Sequence, residues 1–220
     1  MKRQVSLEEI SDGKLYMAND MVKADCGGCE GCSACCRGMG DSIVLDPLDV
    51  FRLSQGTSCT FQELLKGPLA LGVVDGIVLP HLNMEGDEER CFFLNEEGRC
   101  TIHAHRPGIC RMFPLGRVWE GREFRYFLQV HECPKPGKTK VKVKNWMDTP
   151  NLKAYEHFVK EWHSFVKDFE AALETESDPT YAKNMNIFLL NTFYMQPFSE
   201  ADFYEEFERR MEFARESLGV

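Results

Sequence analysis

Apolar residues recur at three- and four-residue steps through the last third of the chain and in short, broken groups before it. Leu152, Tyr155, Phe158, Val159, Trp162, Phe165, Val166 and Phe169 mark one face of a long helix, opened by Thr149 as cap and Pro150 in the first turn. Asp178-Pro179 opens a second helix carrying Met185, Phe188, Leu189 and Thr192. Ser199 caps a third, with Phe203, Phe207, Met211, Ala214 and Leu218 inward and Gly219 closing it. Aromatic residues at this spacing predict a packed core.

The front of the chain predicts smaller pieces. Residues 42–45 form a brief strand, and Asp46-Pro47 begins a helix through Leu53. Thr60 and Glu63 fit a capping box ahead of a second short helix. Asp75-Gly76 between two valine-rich runs predicts a hairpin. Residues 91–94 and 99–102 predict another, bringing Cys91 near Cys100, and residues 117–119 pair with 123–130. KTKVKVKNW, residues 138–146, predicts a solvated edge strand with Lys140, Lys142 and Lys144 on one face. Together these give an α+β fold. A cysteine-rich region of short strands, hairpins and small helices, residues 1–148, carries a three-helix part, residues 149–220, packed against it and sharing its core.

The chain has 220 residues and ten cysteines, all between Cys26 and Cys133. No apolar run follows the basic start and none approaches eighteen residues, so neither a signal peptide nor a membrane span is expected and the cytoplasm is the default location. There, dense cysteines point to metal binding or catalysis rather than to disulfides. The net charge of −9 is uneven: residues 1–98 hold 8 Lys and Arg against 17 Asp and Glu, residues 99–145 hold 11 against 3, and residues 150–220 hold 7 against 14. The scattered arginines and the absence of aromatics among the lysines argue for internal neutralisation, not for nucleic-acid binding.

The cysteines supply the chemistry. Residues 26–36 read CGGCEGCSACC. Thiolate is a soft ligand for zinc and iron–sulfur clusters, and two-residue gaps filled by small residues let neighbouring sulfurs converge. Cys26, Cys29, Cys32 and Cys36 also satisfy the C-x2-C-x2-C-x3-C run of bacterial ferredoxins, but Arg37 stands where proline would follow. Four thiolates around zinc are equally compatible with the spacing.

Residues 29–36, CEGCSACC, resemble the signature of the CxxCxxCC (YkgJ-like) family of zinc- or iron-chelating proteins, also labelled iron–sulfur-cluster proteins or flagellin N-methylases. The likeness continues through CFFL at 91–94, GRCTI at 98–102, RPGICRMFP at 106–114, and Cys133. It implies eight metal ligands, Cys29, Cys32, Cys35, Cys36, Cys91, Cys100, Cys110 and Cys133, holding an iron–sulfur cluster or Zn2+. Cys26 and Cys59 fall outside the pattern: Cys26 is a spare or alternative ligand, Cys59 a small buried hydrophobe. Arg106 and Arg111 flank Cys110 and are expected to offset thiolate charge from behind the ligands. His103, His105 and His131 neighbour cysteines but are read as structural.

Three functions follow. The first is a metal-binding protein whose centre is structural or electron-carrying and acts with a protein partner. The second is a protein lysine N-methylase-like enzyme, which lacks support because no glycine-rich loop follows a strand and no C-x3-C-x2-C run occurs. The third is a thiol-redox or metal-delivery protein, which requires a low-pKa, accessible thiolate at Cys35-Cys36.

Overall fold

The computed structural model describes residues 6–27, 32–176, 178–199 and 201–219. It opens with one helical turn, α1 (Leu7–Ile10), and strands β1 (Ser11–Tyr16) and β2 (Met21–Asp25). Beyond the cysteine cluster come α2 (Pro47–Thr57), α3 (Phe61–Leu64), β3 (Leu69–Val74), β4 (Ile77–Leu82) and the two-residue strands β5 (Met84–Glu85) and β6 (Arg90–Cys91). Then follow α4 (Gly108–Met112), β7 (Leu115–Glu120), β8 (Glu123–Gln129), β9 (Thr139–Lys142) and α5 (Val143–Met147). Three helices complete the chain: α6 (Leu152–Thr175), α7 (Pro179–Leu190) and α8 (Phe203–Leu218). The described strands pair antiparallel, in one three-stranded sheet ordered β1-β8-β7 and in the pairs β2-β9, β3-β4 and β5-β6. This is an α+β fold. No described helix is long and apolar enough to cross a membrane.

Local chemistry explains the element ends. The Asp46 side chain accepts from the Asp49 amide while Asp49 accepts from that of Asp46, a reciprocal cap with Pro47 in the first turn of α2. Thr60 and Glu63 do the same for α3. Asp75 and Gly76 both adopt positive φ, 51° and 83°, as the two-residue turn between β3 and β4 demands.

Several elements depart from the sequence pattern. The chain turns helical at Val143, so Lys144 lies on α5 and not on the strand with Lys140 and Lys142. Helix α6 is capped by Asn151, two residues past Thr149, and α8 by Asp202 in place of Ser199. Each cap that forms has a side-chain oxygen placed to accept first-turn amides: Asn151 accepts from Ala154, and Asp202 from Tyr204 and Glu205. Cys91 pairs with Met84, and Leu94 rather than Cys91 stands opposite Cys100. Strands β1 and β2 lack clear alternation in sequence; β8 and β9 recruit them from more than a hundred residues away.

The C-terminal helices pack by aromatic rings. Phe158, Phe165, Phe169, Phe193 and Phe207 are each no more than 1% exposed. The Phe158 and Phe207 rings meet edge-on with centroids 4.6 Å apart. Helix α7 widens into a π-helical segment, Asn191–Met195, whose trailing carbonyls at Thr192, Gln196 and Pro197 accept from the Arg210 guanidinium at 2.8 Å. The same buried cluster continues into Leu45, Leu53 and Leu64 of the front region. A hydrogen bond reinforces that contact: the buried Tyr194 hydroxyl donates to the Leu45 carbonyl at 3.0 Å. Within the front region, Trp146 Nε1 donates to the Met112 and Phe113 carbonyls at 3.2 Å.

Candidate metal centre

Three separate segments converge on one cavity. The first is residues 32–36, where a short 3-10 turn forms at Ala34–Cys36 and the Cys36 amide donates to the Ser33 carbonyl. Its exit is fixed against β6: Arg37 bridges to Arg90, and the Gly38 amide donates to the Glu89 carbonyl at 3.1 Å. The second is residues 91–102. The Asn95 side chain accepts from the Arg99 amide at 2.8 Å, and the Thr101 amide donates to the Phe93 carbonyl at 2.8 Å. These bonds close the loop that carries Cys91 and Cys100. The third is α4, which places Cys110.

The cavity has a volume of about 190 Å3. Cys32, Cys35, Cys36, Cys91, Cys100 and Cys110 all line it, with Ile43, Leu82, Met84, Phe93, Ile102 and Trp146 supplying apolar wall. Cys35, Cys36 and Cys110 also line a wider groove of about 760 Å3 that runs toward α6. Among the described residues, no group of three His, Cys, Asp or Glu side chains stands in metal-holding geometry. The nine described cysteines form no disulfide. The six thiols therefore surround a space without closing on one point.

Cys29 lies outside the described residues. Cys133 is half-buried beyond β8, its carbonyl accepting from Lys138 at 2.7 Å, and does not line the cavity. Cys26 does not line it either, and Cys59 packs partly buried against the core. His103 lines the wall with its Nε2 2.6 Å from Arg106, and burial holds its pKa below the ordinary histidine value. His105 packs over Gly56, and His131 is exposed.

Environment sorts the thiols by charge. The neighbouring Cys36 thiol brings Cys35 down to about 7, with the Arg106 charge assisting. Cys36 is correspondingly raised, by its hydrogen bond to Cys35 and by burial. Burial raises Cys91, Cys100 and Cys110, and further thiols beside Cys110 add to its rise.

Arg106 and Arg111 both border the cavity. Arg111 donates to the backbone carbonyls of Ala104 and of Asp148, the latter at 2.9 Å, which staples α4 to the preceding turn and to the end of α5. The Nε atoms of Arg106 and Arg111 are buried without a hydrogen-bond partner. Unpartnered cationic donors beside buried thiols fit an anionic thiolate-bound group, whose negative charge they would offset.

The support beneath α4 escaped the sequence pattern. Asp49 Oδ1 accepts from the Gly108 amide at 2.7 Å in a buried position. Gly108 has no room for a side chain there: a Cβ would lie 2.6 Å from the Tyr155 hydroxyl. That hydroxyl accepts from Arg117 Nη2 at 2.6 Å, and Arg117 also lies over the rings of Phe124 and Tyr155. Burial pushes Asp46 up to about 8, with Asp49 adding to the rise, while Arg52 and Arg117 oppose it. Asp49 completes the reciprocal cap with Asp46 at the start of α2; its second bond, across 59 positions, has no local signature in the sequence.

Residues 28–134 match the family model CxxCxxCC, described as a putative zinc- or iron-chelating domain. No curated protein and no solved structure matches the chain. All six cavity thiols fall within the matched segment. The zinc- or iron-chelating description of the matched segment, together with the abundance of cysteine in it, supports metal binding.

Proposed function

We propose that this protein binds a thiolate-ligated metal centre in the cavity between residues 32–36, the 91–102 loop and α4. The carrying observation is that six cysteines from three segments line one space of about 190 Å3. Cys32, Cys35, Cys36, Cys91, Cys100 and Cys110 are the proposed ligands within the described residues. Cys29 joins them by its place in the motif, and Cys133 by the resemblance alone.

The donor set favours an iron–sulfur cluster over one zinc ion. A structural zinc is closed by four ligands with no space between them. Here six thiols are available, and the cavity is comparable to an engineered apolar cavity of about 150 Å3 that admits benzene. Such a space suits a polyatomic group. An iron–sulfur cluster, when bound, supplies one-electron transfer at a potential tuned by burial and by hydrogen bonds to sulfur. The chain's own contribution is to hold the thiols, exclude water with Phe93, Ile102 and Trp146, and place Arg106 and Arg111 beside the negative charge. Raised pKa values at Cys91, Cys100 and Cys110 mean that binding must displace protons, so affinity falls as pH falls. An electron-carrying or structural role acting with a protein partner follows, in the cytoplasm.

Anaerobic purification with iron, zinc and acid-labile sulfide analysis and a visible spectrum tests this reading. Brown protein with iron and matching sulfide is expected. Colourless protein with stoichiometric zinc and no sulfide would make the centre a structural zinc site, and protein with neither metal would overturn the proposal.

A further inference from the structure

The strand pair β2-β9 has one buried face and one charged face. Val22 and Ala24 are fully buried, so Met21 and Lys23, which alternate with them, face solvent. Met21 pairs with Lys142 and Val22 with Val141, which puts the exposed Lys140 and Lys142 on the same outer face. The chain then turns into α5, where the Val143 and Lys144 amides donate to the Asp20 and Ala18 carbonyls at 3.0 and 2.9 Å. That contact seats the exposed Lys144 beside the turn that carries Met17. Met17 and Met21 are 63% and 48% exposed.

The charge on this face is not neutralised locally. Among the described residues, Lys23, Lys140, Lys142 and Lys144 make no ion pair, whereas Lys160 and Lys167 pair with Glu123 and Glu170. The carboxylates of the same turn and strand are held by other donors. Asp20 accepts from the Met17 amide at 2.7 Å, and Asp25 from the Gly27 amide at 2.9 Å and the Thr139 hydroxyl at 3.3 Å. The neutralisation expected for the basic middle segment therefore does not reach Lys140, Lys142 and Lys144. Beside them, Lys23 joins Lys135 and Lys138 around an open hollow of about 310 Å3, lined also by Leu128 and Val130.

We infer that the outer face of β2-β9, with the first turn of α5, docks an acidic protein. On a chain of net charge −9, four lysines without internal partners offer complementarity to a negative surface. The methionines among them supply adaptable apolar contact. The hollow suits a carboxylate side chain, with lysines for its charge and Leu128 and Val130 for its methylenes. Nucleic acid fits this face less well: Tyr16 is buried and Trp146 lines the metal cavity, so no aromatic ring stands among the lysines to stack on bases. A lipid surface calls for an amphipathic helix with aromatic or leucine anchors, and this face is a strand pair. A second copy docked here about a two-fold axis would set lysine against lysine. The face also adjoins the centre, since α5 carries Lys144 outward and, two positions on, Trp146 into the cavity wall. Its assignment as the partner surface of that centre rests on the function proposed above, and the charge argument does not.

Fluorescence anisotropy of a labelled polyglutamate peptide, titrated with the full chain, tests the inference. Binding is expected, and added sodium chloride should weaken it by screening. Lys140→Glu combined with Lys142→Glu should weaken binding about tenfold, because like charge then meets like. Lys140→Gln combined with Lys142→Gln should weaken it less, and keeps the test open if charge reversal disturbs the fold. Lys153→Glu combined with Lys183→Glu changes net charge equally at exposed positions on α6 and α7, and should leave binding unchanged. No binding by the wild type, undiminished binding by both Lys140/Lys142 pairs, or an equal loss in the α6-α7 pair overturns the inference. Tighter binding of single-stranded DNA, or of vesicles with one part phosphatidylserine to three parts phosphatidylcholine, overturns it too and gives the face to that ligand. The readout does not involve the metal, so failure here is distinct from failure of the proposed centre, which metal and sulfide analysis reports.

Discussion

The C-terminal helices and the cysteine region reach order by different means. In the helices, side chains spaced three or four residues apart share one face and pack ring against ring: Phe158, Trp162 and Phe165 of α6 close on Phe193 and Phe207 with ring centroids between 4.6 and 6.4 Å. In the cysteine region, elements of two to five residues surround a cavity, and their links are single hydrogen bonds such as Gly38 to Glu89 and Gly108 to Asp49. Burial of a large apolar side chain contributes about 1.5–3 kcal/mol, whereas one hydrogen bond contributes about 0.5–1.5 kcal/mol net. The helices can therefore be stable through their own packing, while the cysteine region depends on what fills its cavity.

That contrast can be broken from either side. Cys100→Ser should have the largest effect on the centre, removing bound metal and collapsing hydrogen-exchange protection over residues 91–112 while α6 and α8 stay protected. Metal content and exchange mass spectrometry check this, and wild-type metal content in the variant would count against ligation by Cys100. Phe207→Ala should act in the opposite sense. It should cost about 3–5 kcal/mol in a urea titration, because a fully buried ring is lost, yet leave the metal stoichiometry unchanged.

Asp49→Ala lies where the two regions meet. It leaves the Gly108 amide buried without an acceptor, so a loss of about 1–3 kcal/mol is expected in the same titration. The smallest effect is one of pH. In metal-free protein, alkylation of Cys35 should rise through about pH 7, because its folded pKa is depressed and the thiolate is the nucleophile. Cys36, Cys91, Cys100 and Cys110 are raised and should label only at higher pH. Peptide mapping after timed iodoacetamide exposure reads the order. Cys110 labelling before Cys35 would contradict this assignment.

Sequence patterns revealed these regions unequally, for physical reasons. The three helices were legible because amphipathic periodicity is a local property. Their starts were less so: Thr149 and Ser199 are as plausible in sequence as Asn151 and Asp202, and tertiary placement chose between them. The caps at Asp46 and Thr60 and the Asp75-Gly76 turn were legible because the needed chemistry lies within four residues. Strands β1 and β2 were hidden, since half of each pairing lies far along the chain. The cysteine spacing announced a metal-binding pattern, and the structure brings six of the motif's cysteines around one cavity. Sequence did not reveal Asp49, Arg117 and Tyr155 beneath α4, because long-range hydrogen bonds leave no periodic trace.

X-ray absorption at the K edge of the bound metal tests the central claim most directly. The account predicts a first shell made of sulfur alone, at about 2.3 Å for zinc, with a metal–metal shell in addition if a cluster is bound. A first shell dominated by nitrogen or oxygen at about 2.0–2.1 Å would contradict it, because the cavity wall would then not be what holds the metal.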